Sequence, residues 1–570
     1  MAGKRICIVG GVAGGASSAA RARRLDEKAE IIILEKGPFV SFANCGLPYY
    51  VGDVIRREEH LLVATPEMFQ QRFRIEVRLH SEVLRIDREN RRLLIRDHQA
   101  GREYEEPYDV LVLSPGASPI RPPIPGLDLH GVFFVRSIPD SREIRRMIDQ
   151  RHAQKAVVVG GGYIGLEMTE NLVRRGLHVT LVEMQPQIMP LCDPEMVWPL
   201  QETLWEKGVD LRLGNQVEKI ERGSNEELRV RLRSGEELSA QLVIVAVGVR
   251  PEVQLARDAG LALGHLGGIL VNEKMQTSDP SIWAVGDAVE VLHVITGRQT
   301  LLPLAGPANR QGRLAADAIC GRDVRFRGVQ GTAVVGLFDQ VLAMTGPSEK
   351  VLKSLNLWDE PYRCEKIYLH PGHHASYYPG AETIAMKLIF SKKDGKILGF
   401  QAVGKKGAVR RTDVIAMAVQ KGGTVFDLEE AELCYAPQFG SAKDPVNLAG
   451  MIAANVVRGD VEVIHADEMD QRPENVFVLD VREAFEYRRG HIEGAVHIPL
   501  GRLRQRMAEL PKDREIWVYC YVGQRSYLAA RALRQYGYQA KNLSGGFRTY
   551  TLWRLATSHL SKPSDNLVPK

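Results

Sequence analysis

A chain of 570 residues, 44% hydrophobic and 25% charged, is long enough for about four domains, each with its own core. Its 75 basic and 70 acidic residues leave a balance of +5, too small at this size to imply a nucleic-acid partner. The amino terminus enters a strand at once without a signal-peptide run, and no later segment reaches membrane-spanning length, so the expected location is cytoplasmic, with no membrane partner. The seven cysteines (Cys7, Cys45, Cys192, Cys320, Cys364, Cys434 and Cys520) are scattered without the spacing of a disulfide scaffold or a zinc site, and five of them are expected to be inert core thiols.

The first predicted strand, residues 5–9, runs into Gly10-Gly11-Val12-Ala13-Gly14-Gly15, a helix rich in alanine and arginine, and a strand 31–34 ending at Glu35. The same βαβ grammar returns at 156–160, Gly161-Gly162-Tyr163-Ile164-Gly165, a helix, and 179–182 ending at Glu183. The runs 110–116 and 242–248 each read as a strand into a turn where the chain crosses between domains. After about residue 325 the pattern turns β-rich and then gives a helix over 409–420, an α+β unit. From Val461 the chain is polar and irregular through Pro473, which predicts a linker. A last unit has strands at 476–479 and 516–519 and an amphipathic helix with Leu528, Ala532, Leu533 and Tyr536 on one face. The boundaries that follow are 1–118 with 252–325, 119–251, 326–458, a linker at 459–473, a domain at 474–560 and a disordered tail at 561–570.

Two glycine loops at strand–helix junctions, each with an acid eighteen to twenty residues past its last glycine, predict two nucleotide sites. Glycine lets the backbone approach a pyrophosphate, the helix amino terminus supplies N–H groups, and the acid accepts from ribose hydroxyls. Val12 replaces the middle glycine of the first loop, but Gly286-Asp287 after a third strand supports the assignment. This combination resembles the flavoprotein disulfide reductases with two dinucleotide-binding domains, over roughly residues 4–455. The fold implied is α/β, with two Rossmann-like dinucleotide-binding domains for FAD and NAD, an α+β dimerisation domain and a carboxy-terminal α/β domain. The resemblance assigns FAD to Gly10, Gly11, Gly14, Gly15, Glu35, Lys36, Val83, Ser114, Gly116, Gly286, Asp287, Pro303, Leu304 and Ala305. It assigns the nicotinamide nucleotide to Gly160, Gly162, Tyr163, Ile164, Gly165, Glu183 and Gly248. Glu183, followed by Met184 and Gln185 and no arginine, should repel a 2′-phosphate, so NADH is expected over NADPH, which stays the alternative.

Cys45, in Ser41-Phe42-Ala43-Asn44-Cys45-Gly46-Leu47-Pro48-Tyr49, has no second cysteine near enough to form a redox pair. Its oxidised form must then be a mixed disulfide with a small thiol, a persulfide or a sulfenic acid. A place at a helix start, with Pro48 in the first turn, would favour the thiolate. This stretch resembles the single-cysteine branch of the family, comprising coenzyme A-disulfide reductases, NADH oxidases and NADH peroxidases. Ala13 stands where the oxidases and peroxidases carry a histidine, which disfavours peroxide. Ser17, Arg21 and Arg24 fall on one helical face, and on their own would read as a solvated basic face. The resemblance makes Ser17, Arg21, Arg24, Ser41, Asn44 and Lys443 ligands of coenzyme A, bound as substrate or cofactor, with Arg72 beside Phe73, where the family has a lysine. It also makes Tyr377 and Tyr435 phenols that reach the sulfur of the partner subunit, which implies a homodimer with a shared active site; a phenol can donate to a departing thiolate. His370, His373 and His374 lack matching carboxylates or thiols, so no metal is assigned.

Residues 479–483 (Leu-Asp-Val-Arg-Glu), 490–495 (Gly-His-Ile-Glu-Gly-Ala), Cys520-Tyr521-Val522-Gly523-Gln524-Arg525-Ser526 and 543–547 (Leu-Ser-Gly-Gly-Phe) resemble the rhodanese family. A cysteine after a strand, with loop N–H groups pointing inward, stabilises a thiolate or its persulfide, and Arg525 adds positive charge. The Cys-x4-Arg loop is one residue shorter than in relatives that handle phosphate or arsenate, a size for sulfur. Asp480 and Arg482 read as structural. Together the resemblances imply an FAD-dependent, NAD(P)H-driven reductase of coenzyme A disulfide, coenzyme A persulfide or polysulfide, with catalytic residues Cys45, Cys520, Tyr377, Tyr435 and Arg525. The alternatives are an NADH oxidase or peroxidase with an accessory sulfur domain, and a sulfur carrier or sensor with slow flavin turnover.

Overall fold

The computed structural model describes residues 3–223 and 227–558; the tail expected at 561–570 lies outside them. The chain divides into two compact units, Met1–Val182 with Asn215–Val329, and Glu183–Gly214 with Gln330–Lys570.

In the first unit, a five-stranded parallel sheet runs Ile282–Ala284, Val110–Leu113, Arg5–Val9, Glu30–Leu34, Glu76–Arg78. Ile6, Cys7, Ile8, Ile31, Ile32 and Ile33 are buried, as the continuous apolar runs of a parallel sheet covered on both faces require. The helix Gly14–Leu25 packs on the helix Ala305–Ile319. A second set of parallel strands pairs in the order Val132–Phe133, Leu242–Val245, Lys155–Val159, His178–Glu183, with the helix Tyr163–Arg174 following its glycine loop. The two loops repeat one close approach: a Cβ on Gly15 would stand 1.9 Å from the Gly10 carbonyl oxygen, and one on Gly165 1.9 Å from that of Gly160. Only glycine lets each helix begin that near its strand.

In the second unit, five antiparallel strands run Ala333–Leu337, Gln340–Thr345, Ile397–Gly404, Ala385–Ser391, Cys364–Leu369. The helix Ala408–Gln420 packs on this sheet, one residue longer than expected. Lys387, on the strand Ala385–Ser391, is 1% exposed. Its ammonium lies 2.8 Å from Asp193, 2.7 Å from Glu195 and 2.7 Å from Glu349, and 5.1 Å from the centre of the Tyr368 ring. Lys366 adds a second cation, 2.8 Å from Glu349. Asp193 also accepts from the Gln401 amide at 2.6 Å and from the backbone N–H groups of Glu349 and Lys350 at 3.2 and 3.1 Å. Lys353 adds a third cation, 2.6 Å from Glu349, so the negative charge these carboxylates hold is met by three ammonium groups and several N–H donors.

The same unit contains a five-stranded parallel sheet in the order Val463–Ile464, Ala540–Leu543, Ile516–Tyr519, Phe477–Asp480, Val496–His497. Val463–Ile464 and the helix Ala466–Asp470 fall within the stretch expected to be a linker. Ile464, Ala466 and Met469 are buried against Val478, Trp517 and Leu543, so these residues belong to the domain they precede. His465 between Ile464 and Ala466 is buried and polar, and Glu468 before Met469 is exposed, so the apolar residues make no regular pattern. The amphipathic face also differs from expectation. The helix Gln524–Gln535 buries Ser526, Ala529, Ala530 and Leu533, while Leu528 is 52% and Tyr536 63% exposed. Small side chains let the helix lie close on its sheet, which the larger ones at Leu528 and Tyr536 would prevent.

The parallel sheet is attached to the antiparallel one by polar contacts. The Tyr368 N–H donates to Ser544 Oγ at 2.9 Å, His370 Nε2 lies 2.7 Å from Thr549 Oγ1, and His465 Nε2 lies 2.9 Å from Glu365. Tyr368 Oη donates to Glu195 at 2.7 Å, joining this attachment to the Lys387 cluster. Lys387→Met is expected to cost about 3–5 kcal/mol, since it leaves buried carboxylates unmatched. Urea unfolding followed by the fluorescence of the second unit measures it, and a cost under about 1 kcal/mol would show that the cluster does not hold the unit together.

Candidate active sites

Cys45 lies in the 3-10 turn Asn44–Gly46, which leads into the short helix Leu47–Val51 with Pro48 in its first turn. Cys45 is exposed. The expectation of a thiolate favoured by the helix start meets an opposing field. Partial burial, then the carboxylates of Glu167 and Asp287, push the thiol up, and its backbone hydrogen bond pulls it down by less. Glu167 follows the second glycine loop and Asp287 follows Gly286, but neither influence on Cys45 is visible along the chain. Tyr49, one turn past Cys45, donates to Glu167 Oε1 at 3.3 Å. Burial raises Glu167 to about 7, against the pull of the Tyr49 hydroxyl. Asp287 is likewise raised by burial, opposed by Arg136. Glu167, Tyr49 and Arg136 escaped the sequence reading; an acid two residues after the last glycine of a loop, in an otherwise apolar run, was the available signal for Glu167.

Around the first glycine loop, Glu35 accepts from the N–H groups of Gly11 at 3.0 Å and Gly37 at 2.9 Å. The Gly286 N–H donates to Gln311 at 2.7 Å, so a buried amide fixes the strand end that carries Asp287. Ser114 holds Val9 through its N–H at 2.8 Å, Gly116 has a φ of +76°, and Val83 lies on the strand Ser81–Asp87. Leu304 precedes the helix that Ala305 begins; Lys36 and Pro303 are exposed. At the second loop, Gly162 is the residue before the helix Tyr163–Arg174. A Cβ built on Gly162 would meet nothing within 4 Å, so no protein atom excludes a side chain there, and a phosphate approaching the helix start would. Ile164 on the first turn is exposed, and Gly248 has a φ of +113°. Glu183 accepts from the Gln185 N–H at 2.7 Å.

The coenzyme candidates separate into committed and open groups. Arg21 donates twice to Asp317, at 3.0 and 2.7 Å, and Ser17 Oγ donates to Asn309 Oδ1 at 2.6 Å. Arg24, Arg72 and Lys443 are exposed. Ser41 is buried with a φ of +47°. Among the described residues, Asn44 Oδ1 is buried with no hydrogen-bond partner. The Tyr377 and Tyr435 hydroxyls lie 2.7 Å apart although their positions are 58 residues apart. Tyr377 is 73% and Tyr435 48% exposed, and the shared hydrogen bond pushes the Tyr377 phenol up. His370 is held by Thr549 and pushed down to about 3 by burial and Arg548, which keeps it neutral. Among the described residues, the carboxylates of Asp193, Glu195 and Glu349 approach closely enough to hold a metal, but the Lys387 ammonium lies against all three.

In the second unit, Cys520 follows the strand Ile516–Tyr519 and is fully buried. Its sulfur accepts from the Gly523 N–H at 3.1 Å and from Ser526 Oγ at 3.4 Å, and a φ of +94° at Gly523 turns that N–H inward. Arg525 is held by Glu486 through two bonds of 2.6 and 2.7 Å, a partner the sequence did not reveal. Arg482 donates to both oxygens of Asp480 and to the Gly490 carbonyl, beneath the rings of Tyr519 and Phe547.

The model of the pyridine nucleotide-disulphide oxidoreductase family matches residues 4–312, that of its dimerisation domain residues 332–444, and that of the rhodanese-like domain residues 465–552. A coenzyme A disulfide reductase from Staphylococcus epidermidis is 36% identical over 449 residues, covering 78% of this chain and 99% of the relative. A crystal structure of reduced Bacillus anthracis CoADR-RHD has 46% identity and a TM-score of 0.94, over 97% of this chain and 99% of that one. The structure of an NAD-dependent persulfide reductase from A. fulgidus has 36% identity and a TM-score of 0.86, over 96% and 100%.

At the pH where Cys45 ionises, Glu167 carries a charge that opposes the thiolate, so Glu167→Gln is expected to move the alkylation of Cys45 to lower pH. Iodoacetamide labelling, read on the Cys45 peptide by mass spectrometry across pH, measures this; an unmoved profile would leave Glu167 without electrostatic influence on the thiol.

Proposed function

Because the chain belongs to the pyridine nucleotide-disulphide oxidoreductase family and ends in a rhodanese-like domain, we propose that it reduces coenzyme A disulfide and coenzyme A persulfide or polysulfide at the expense of NADH. Cys45 is the single redox-active cysteine, and Cys520 takes up or relays sulfane sulfur. The observation that carries this reading is the pairing, on one chain, of an exposed thiol without a cysteine partner at Cys45 and a buried thiol cradled by the Gly523 N–H and Ser526 at Cys520. The names of the similar proteins supply the substrate classes.

FAD, when bound, supplies two-electron transfer from the nicotinamide to the thiol centre. Gly10, Gly11, Gly14 and Gly15 with Glu35 would hold its pyrophosphate and ribose end, and Gly286 with Asp287 its middle. The open space at Gly162 fits the phosphates of a nicotinamide nucleotide, with Glu183 as the ribose acceptor favouring NADH over NADPH. Coenzyme A would lie against Ser17, Ser41 and Asn44. With Arg21 committed to Asp317, the exposed Arg24, Arg72 and Lys443 carry its phosphates.

The Cys45 thiolate attacks the inner sulfur of a coenzyme A persulfide; the sulfur–sulfur bond breaks, hydrosulfide leaves, and a mixed disulfide with the coenzyme remains. With coenzyme A disulfide the leaving group is the coenzyme thiolate. Two electrons then return Cys45 to the thiolate and release the coenzyme thiol. Tyr377 and Tyr435 of a second protomer donate a proton to the departing sulfur, so the working form is a homodimer with a shared site. No helix among the described residues is long and apolar enough to cross a membrane, and the proposed location is the cytoplasm.

The test is anaerobic NADH oxidation with coenzyme A disulfide and with coenzyme A persulfide, with sulfide release followed in parallel. Cys45→Ser is expected to lower turnover with both by more than about a thousandfold. Cys520→Ser is expected to abolish sulfane transfer while sparing disulfide reduction. Loss of both activities in Cys520→Ser would overturn the division between the thiols, and faster turnover with oxygen or peroxide would favour an oxidase. Tyr377→Phe with Tyr435→Phe is expected to lower kcat about a hundredfold, as the loss of a general acid does; an unchanged kcat would make the pair interface aromatics.

A further inference from the structure

The loop that cradles Cys520 rests on the first turn of the helix Gly546–Thr557. The N–H of Phe547 donates to the Cys520 carbonyl at 2.8 Å, and that of Arg548 to the Tyr521 carbonyl at 2.9 Å. Gly545 and Gly546, with φ of +71° and +63°, let the two backbones meet. A Cβ on Gly546 would stand 2.5 Å from the Cys520 carbonyl oxygen and 2.7 Å from the Gly523 nitrogen, whose N–H is the one that reaches the sulfur. The other side of the same turn meets the antiparallel sheet, where a Cβ on Gly545 would stand 2.7 Å from Tyr368 Cβ. Ser544, just before the glycines, accepts the Tyr368 N–H at 2.9 Å, and Thr549, just after them, is held at Oγ1 by His370 Nε2 at 2.7 Å. The glycine pair is thus wedged between the sulfur loop and a strand outside the parallel-sheet domain. Of the charged groups, Arg525 acts on the Cys520 sulfur from the loop itself, and Arg548 acts on His370 from the turn.

We propose that Tyr368 and His370, from the antiparallel sheet, are positioning residues for Cys520: by fixing Ser544 and Thr549 they press the glycine pair against the sulfur loop and so aim the Gly523 N–H at the sulfur. This rests on the reading of Cys520 as a sulfane acceptor and adds the condition under which that thiol is active, the attachment of its domain to the reductase. A hydrogen bond weakens steeply as its angle departs from linear, and a site left about 1 Å too loose loses its preorganised donors. Neither Tyr368 nor His370 touches the sulfur. Both act through the turn 544–549, so the reactivity of Cys520 belongs to the second unit and not to the rhodanese-like residues 465–552 alone.

Thr549→Val keeps the shape of the side chain and removes the hydroxyl that His370 holds; Thr549→Ser keeps the hydroxyl. The full-length holoenzyme is assayed for thiocyanate formation from cyanide, with thiosulfate and with glutathione persulfide as donors and the reaction of donor with cyanide alone subtracted. The Cys520 thiolate attacks the outer sulfur of the donor, the sulfur–sulfur bond breaks, and sulfite or the glutathione thiolate leaves; cyanide then takes that sulfur as thiocyanate and returns the Cys520 thiolate. Relative to wild type, Thr549→Val is expected to transfer sulfur about tenfold more slowly at neutral pH, the effect of one lost hydrogen bond to a charged group. The deficit is expected to shrink below about threefold near pH 10, where a cysteine ionises without an aimed donor. Thr549→Ser is expected to stay within about threefold of wild type throughout, and reduction of coenzyme A disulfide at Cys45 to be unchanged in both. A deficit that is the same at every pH gives the contact a purely structural role and overturns the proposal, as does an unchanged rate in Thr549→Val or an equal loss in Thr549→Ser. Should Thr549→Val not fold, His370→Leu removes the same bond from the other side; the same pH-dependent deficit supports the proposal and an unchanged rate overturns it. No transfer from either donor in wild type, or transfer that survives in Cys520→Ser, would instead sink the reading of Cys520 itself.

Discussion

The ammonium of Lys387 lies where segments distant in sequence meet, among carboxylates from Asp193, Glu195 and Glu349. Two of these come from the segment Glu183–Gly214, which joins the second unit although its neighbours along the chain belong to the first. Burying such charges is costly unless every one is matched. The arrangement of the strand Ala385–Ser391, the helix start at Glu349 and the turn before Pro194 is therefore mutually dependent. Tyr368 extends the dependence, since its hydroxyl serves Glu195 and its backbone N–H serves Ser544. A cluster of this kind adds less net stability than its number of bonds suggests, but it leaves few ways to assemble these parts.

The two sulfur centres are prepared by opposite means. Cys520 is buried yet provided with donors, so its negative form is met by the Gly523 N–H and the Ser526 hydroxyl before any ligand arrives. Cys45 is exposed yet faces two carboxylates, Glu167 and Asp287, that oppose its ionisation. The protein's own groups thus favour the negative form at one sulfur and oppose it at the other, and a donor or positive charge brought beside Cys45 would favour its thiolate.

What was legible in the sequence was local. Both glycine loops, the helices after them and the Cys520 loop follow from residues within a dozen positions of one another, where backbone geometry leaves few choices. The strand Val463–Ile464 was hidden because two apolar residues at a sheet edge make no period, and their neighbours are polar. The helix Gln524–Gln535 shares only Leu533 between its buried face and the stripe of Leu528, Ala532, Leu533 and Tyr536, because close packing on the sheet selects Ala529 and Ala530. Partnerships across the chain were invisible: Arg21 with Asp317, 296 positions apart, and Arg525 with Glu486, 39 apart. Each changes the charge available to a ligand, which no motif records.

The strand Cys364–Leu369 is the last in its antiparallel sheet, paired on one side with Ala385–Ser391. Its outward N–H at Tyr368 is taken by Ser544, while Glu365 and His370, on the same strand and just past it, are engaged by His465 and Thr549. An open strand edge is a template for another chain. The sulfur domain thus also works as an edge guard: a chain cut before it would present unpaired backbone to its own copies, and self-association would replace the missing cover.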